Sequence, residues 1–311
     1  PYGVRITNQM VMQMMDKPCT ATFRGLNLMC ERIMMSDPYS DPAAKYLTSF
    51  PKTEREHYHQ ILKMMEKLFS LEILACVLPV IALGCNCLTR TDVAHIVRRN
   101  VLKSANVYEL LDNLMIPLLW AARFFVKGDA YAGSTSSASG KLYIEGQVAC
   151  DVILERYVPK EQQKRHVYQM IVGYFDRNVN GAGLLATIQS TASLKAQGLD
   201  PFARDEDGRM TNEVMYQEHE MAVNTILYLP YFCAQARMFD RLADLLKDVE
   251  FLQAKLVLQE SQALIEDFDR ILPQSGGPER PLWISQHLAV SEGLVDVPGT
   301  LPGIDGRIQQ L

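Results

Sequence analysis

The chain lacks the features that mark several large protein classes. No run reaches the 18 or so clean apolar residues that a membrane-spanning helix requires, so none is expected. There is no excess of positive charge: 36 acidic residues against 31 Lys and Arg leave a formal net charge of −5. A mildly acidic surface is soluble and has no global attraction for phosphate backbones, although local basic patches stay possible. No Cys-x-x-Cys pair occurs, and Cys85-Asn86-Cys87 has one residue between its thiols, which disfavours a structural zinc site. The N-terminus has no continuous apolar core followed by a small-residue cleavage site, so a secretory signal is not read there and the expected location is cytoplasmic. No repeat of 20–50 residues is visible, which disfavours helical solenoids.

What is present is an ordinary globular composition: 311 residues, 48% hydrophobic and 22% charged. This excludes a disordered, collagen-like or mucin-like chain. A chain of this size buries about three quarters of its unfolded surface. The seven cysteines are an odd number, and several sit in apolar runs such as "ILACVLPVIAL" and "LPYFCAQA". They read as small buried hydrophobes in a reducing compartment and not as a disulfide framework.

The periodicity predicts a mainly α, two-lobed, multi-helix fold with a small β element near "KLYIEGQV". Thr53-Glu54-Arg55-Glu56 reads as a capping box opening a helix whose Tyr58, Ile61, Met65 and Leu68 share a face. Thr89 and Asp92 suggest another start. Three strongly apolar segments each contain a proline (Pro79, Pro117 and Pro230), which predicts bent or broken core helices. Gly84 should end the first of them.

Residues 1–127 are read as an N-terminal helical lobe, 128–141 as a Gly/Ser-rich loop, 142–272 as a C-terminal lobe and 273–311 as a Pro/Gly-rich tail. Met238, Leu242, Leu245, Val249, Leu252 and Leu256 are spaced 4, 3, 4, 3 and 4, a heptad seam on one helix continuing to about Leu272. With Trp283 of the tail, this seam is the candidate surface for protein partners or self-assembly.

Each catalytic spelling fails a specific test. Gly140-Lys141 lacks the upstream glycine and the following Ser or Thr of a phosphate loop. Gly181-Ala182-Gly183 with Ala186 follows the polar "FDRNVN", where a dinucleotide turn needs a buried strand. Asp176 to Gly181 spells half a calcium loop, but Thr187 stands where its bidentate Glu belongs. Two Glu-x-x-His spacings, with Glu54 and His57 in one of them, and Glu218-His219 on a later helix are the candidates for a carboxylate–imidazole metal site. Against that reading, Glu56 already has a capping role, and His57 and His59 point about 200° apart on a helix.

Two basic clusters stand out: Arg98, Arg99 and Lys103 on one helix side, with Arg90 and Tyr108 nearby, and Lys160, Lys164, Arg165 and His166. If the two met, they would form a cationic groove for a nucleic-acid backbone. The leading expectation is therefore a non-enzymatic helical interaction subunit of a larger cytoplasmic assembly, with no cofactor. A nucleic-acid-coating helical protein of the viral nucleoprotein type comes second, and a helical di-metal carboxylate oxidase third.

Overall fold

A computed structural model describes residues 8–18, 22, 25–26, 29–30, 51–103, 106–128, 140–178, 181–197, 200, 213–258 and 261–273. The Asp37-Pro38 and Asp41-Pro42 steps, which the sequence reads as turns, the polar stretch over 201–211, which it reads as a loop, most of the segment 128–141 and the segment beyond 273 with Trp283 lie outside them, as does most of 23–35, which it reads as a short helix.

The fold is mainly α, as the periodicity predicts. In chain order the long elements are α1 (Asn8–Met15), α2 (Glu54–Leu68), α3 (Leu71–Leu83) and α4 (Arg90–Asn100). A short α5 (Val107–Leu110) passes through a π turn (Leu111–Met115) into α6 (Ile116–Ala122). Strands β1 (Val126–Lys127) and β2 (Tyr143–Ile144) pair antiparallel, with Val126 opposite Ile144. There follow α7 (Gln147–Tyr157), α8 (Glu161–Phe175), a 3-10 turn (Asp176–Asn178) and α9 (Gly181–Ala196). The last elements are α10 (Glu213–Gln235), α11 (Phe239–Lys247), α12 (Val249–Leu258) and α13 (Ser261–Ile271).

Local chemistry explains most of the boundaries. The Thr53 hydroxyl accepts from the Glu56 amide at 3.2 Å, while the Glu56 carboxylate reaches one residue further back than expected, to the Lys52 amide at 3.0 Å. Tyr58, Ile61 and Met65 are buried, but Leu68, at the frayed end of α2, is 72% exposed. Ser70 starts a separate helix by accepting from the Ile73 amide, so α2 does not run on into the apolar segment. Thr89 and Asp92 form a complete capping box on α4.

The prolines do less than the sequence suggests. α3 passes through Pro79 and α10 through Pro230 without interruption, and Pro117 falls in the first turn of α6 after the π turn. An interior proline costs about 3 kcal/mol. In α3 that cost is offset by burial of Leu74, Val77, Leu78, Val80 and Ile81, each contributing about 1.5–3 kcal/mol. Gly84 ends α3 through close packing: a Cβ there would meet Leu88 Cδ1 at 2.7 Å and the Val80 carbonyl oxygen at 2.8 Å. The left-handed backbone of the turn falls instead on Cys85 and Asn86, with φ of 51° and 58°.

The single heptad helix expected over 238–272 is three helices. The Asp248 carboxylate accepts from the Glu250 and Phe251 amides at 3.0 and 3.1 Å, which caps a new helix and breaks the old one. Leu242, Leu245 and Leu252 are buried in this chain's own core, Met238 and Leu256 are half-buried against it, and Val249 is 50% exposed. One apolar cluster runs from Tyr58 to Ile271, with Phe175 of α8 stacked on Phe232 of α10 at 5.9 Å.

Lys255 falls off the heptad seam, where a charged side chain is expected to be wetted, and the structure corrects that expectation. It is 2% exposed and ion-paired with Asp267, itself fully buried and also bonded by Arg270. Removing one member of such a pair strands the other charge in the core. Asp267→Asn should therefore lower unfolding stability in urea by about 3–5 kcal/mol. The double change Lys255→Met with Asp267→Leu should lose much less; equal losses would refute the buried-charge account.

Candidate functional site

Two clefts of about 870 and 850 Å³ open beside the C-terminal end of α4, and both are lined by Arg99 and Lys103. The first lies between α4, the end of α8, the start of α9 and the N-terminal half of α10. The second lies between α3, the end of α4, the end of α7 and α8. They share these two side chains and so adjoin along one track of the surface.

A buried carboxylate holds the walls in register. Asp92 is 6% exposed. It accepts from the Thr89 amide at 2.7 Å within its own cap and from the Tyr174 hydroxyl of α8. Burial pushes the Asp92 carboxyl upward, against the pull of these two donors, and burial together with the Asp92 contact pushes the Tyr174 phenol up. The Tyr174 ring also stacks on His95, one α4 turn beyond Asp92, with centroids 6.2 Å apart and planes 29° from parallel. This hydrogen bond and ring contact join α4 to α8 beside the cationic side chains.

Those side chains are positioned individually. The Arg99 guanidinium donates to the Gly173 carbonyl of α8. A Cβ on Gly173 would stand 3.2 Å from Arg99 Nη1, so glycine leaves the guanidinium room to lie along the helix. Arg177 sits in the 3-10 turn whose Asp176 is held from α11 by Arg241 Nε at 2.6 Å. Across the cleft, Lys141 approaches Glu220 of α10 at 3.7 Å and donates to Asn224, which in turn donates to the Cys87 carbonyl at 3.1 Å. These bonds tie α10 to the loop that leads into α4.

Charge distribution sets the track apart from the rest of the surface. Arg98, Arg99, Lys103, Arg165 and Arg177 line it, and Glu72 and Glu218 are the carboxylates among the described lining residues. None of the five cations is in a salt bridge among the described residues. Several cations elsewhere are paired: Arg156 grips Glu66 at 2.5 Å, Arg241 holds Asp176, and Lys127 faces Glu145 at 3.6 Å.

The two basic clusters read from the sequence therefore meet in part. Arg99 and Lys103 share the second cleft with Arg165 and His166, while Arg98 lines only the first of the two. Lys160 and Lys164 do not line it: Lys160 stands at the N-cap of α8, and Lys164 folds back on Glu161 at 2.6 Å. Sequence reasoning missed His95, Tyr174 and Arg177. Arg177 was read as part of a calcium-like loop and carries no local signal of its role, being 79 positions from Arg98.

The metal candidates do not assemble. Among the described residues no three His, Cys, Asp or Glu side chains stand together as an ion would need. Glu54 accepts from Tyr58 at 3.0 Å, His57 is buried in α2, and Glu218 lines the first cleft. His219 is half-buried on α10, where burial and Lys195 lower its pKa. Comparison with protein-family models, curated proteins and solved structures gives no match.

Burial, with Arg98 and Arg177 nearby, holds the His95 imidazole below its ordinary value of 6.5 against the opposing pull of Asp92. Between the folded and unfolded titration points the folded chain carries fewer protons on His95. That residue therefore costs nothing above pH 6.5 and lowers stability as the pH falls through 6.5. A proton NMR titration should put the His95 midpoint below 6.5, and lower again in Asp92→Asn. A midpoint at or above 6.5 would contradict this electrostatic description.

Proposed function

We propose that this protein binds nucleic acid through its phosphate backbone, along the track between α4, α8, α9 and α10. The observation that carries this reading is a concentration of charge. In a chain with five more acids than bases, Arg98, Arg99, Lys103, Arg165 and Arg177 gather around two adjoining clefts, none of them in a salt bridge among the described residues. Leaving like charges together destabilises a fold unless an anion neutralises them. A chain of phosphates supplies that anion at regular spacing, and release of its counterions drives association.

The interaction-subunit reading draws less support. The heptad seam that motivated it faces inward, and Asp248 interrupts it. No described helix is long and apolar enough to cross a membrane. Arg123, whose guanidinium sits 4.0 Å over Trp120 on the exposed side of α6, is an ordinary cation–π contact on a separate face.

The test is the salt dependence of binding to a labelled oligonucleotide. For a single strand the slope of log K against log salt is about −0.7 per phosphate neutralised, so five cations give at most about −3.5. Arg98→Ala and Arg177→Ala should each weaken binding and reduce the slope by about 0.7. Gly173→Ala should weaken binding by displacing Arg99, without loss of helix stability, since alanine favours the helix. Lys164→Ala, whose charge is spent on Glu161, should change neither quantity. Equal effects of Lys164→Ala and Arg177→Ala would mean that binding follows net charge and not the track.

A further inference from the structure

Resting on that reading, we infer that the ligand is single-stranded, with its bases entering the first cleft and its phosphates held at the rim. A site for phosphate alone needs only cations. Besides the exposed Arg98, Arg99 and Arg177, however, this cleft is lined by the buried Ile96 and Leu184, the half-buried Met221 and the stacked His95–Tyr174 pair. An apolar and aromatic floor under a cationic rim matches an unpaired nucleotide, whose base has an apolar face while its phosphate carries the charge. In a duplex the base faces are stacked on one another, so a duplex could use the rim alone.

The arrangement of the floor supports the division of labour. Tyr174 spends its hydroxyl on Asp92, and Asp92 is buried, so the ring is fixed in place and its polar edge is already satisfied. Leu184 and Met221 come from α9 and α10, opposite the α4 side chains, so a planar group entering the cleft would have apolar walls on both sides. Glu218 is the one described carboxylate lining this cleft.

The full chain is titrated, by fluorescence anisotropy at fixed salt, into three labelled ligands of about 12 units. These are a single-stranded oligonucleotide, an abasic chain with the same phosphates and no bases, and a duplex of the same sequence. The single strand should bind at least about tenfold more tightly than the abasic chain, because each stacked base adds a sequence-tolerant contribution. It should also bind more tightly than the duplex. Met221→Ala should shrink the preference over the abasic chain while leaving the salt slope unchanged, and Met221→Leu should retain it. Equal affinity for single strand and abasic chain, or for single strand and duplex, overturns this inference while leaving the phosphate-backbone reading intact. If none of the three ligands binds, both fall together.

Discussion

The arrangement of the clefts depends on one buried carboxylate. Asp92 serves two helices at once: it completes the capping box of α4 and accepts the hydroxyl of Tyr174 near the end of α8. A carboxylate at this depth is tolerable because it is hydrogen-bonded from both sides and sits at a helix N-terminus, where the backbone dipole favours negative charge. Fixing that point sets the axial offset of α4 against α8. The offset in turn brings Arg98 and Arg99 alongside Gly173 and Arg177.

Around that anchor, charge and apolar packing are segregated. Pairs such as Arg156–Glu66 and Lys141–Glu220 stitch neighbouring elements together, and the buried Lys255–Asp267–Arg270 group locks α12 to α13. The cations left around the clefts are held apart from carboxylates by geometry: Arg99 by the open space over Gly173, and Arg177 by the turn anchored through Asp176. A mildly acidic exterior and a locally basic track coexist because screening confines each charge's reach to about 10 Å.

Much of the local structure was legible. Thr53, Thr89 and Asp92 marked helix starts, and the "KLYIEGQV" segment supplied the second strand of the hairpin. The basic cluster on α4 was visible as a spacing pattern. Other features were misjudged for physical reasons that a one-dimensional pattern does not carry. Pro79 and Pro230 were expected to bend or break helices; they do not break them, because burial of their neighbours outweighs one lost hydrogen bond. The heptad seam looked continuous because apolar spacing says nothing of a side chain such as Asp248 competing for backbone amides. Lys255 looked solvated because its partner Asp267 lies on a separate helix.

The sequence by itself determined the helical character, the principal capping points, the absence of a catalytic spelling and the existence of a basic face on α4. These are properties of neighbours along the chain, governed by backbone hydrogen bonding and side-chain periodicity. Tertiary structure alone decided that Arg99 and Lys103 share one cleft with Arg165 and the other with Arg98 and Arg177, that Lys164 is occupied elsewhere, and that Leu184 and Met221 line the same cleft as Arg177. Those relations join residues on α4, α8, α9 and α10, far apart in the chain. They are set by how buried apolar surfaces interlock, which no local spacing encodes.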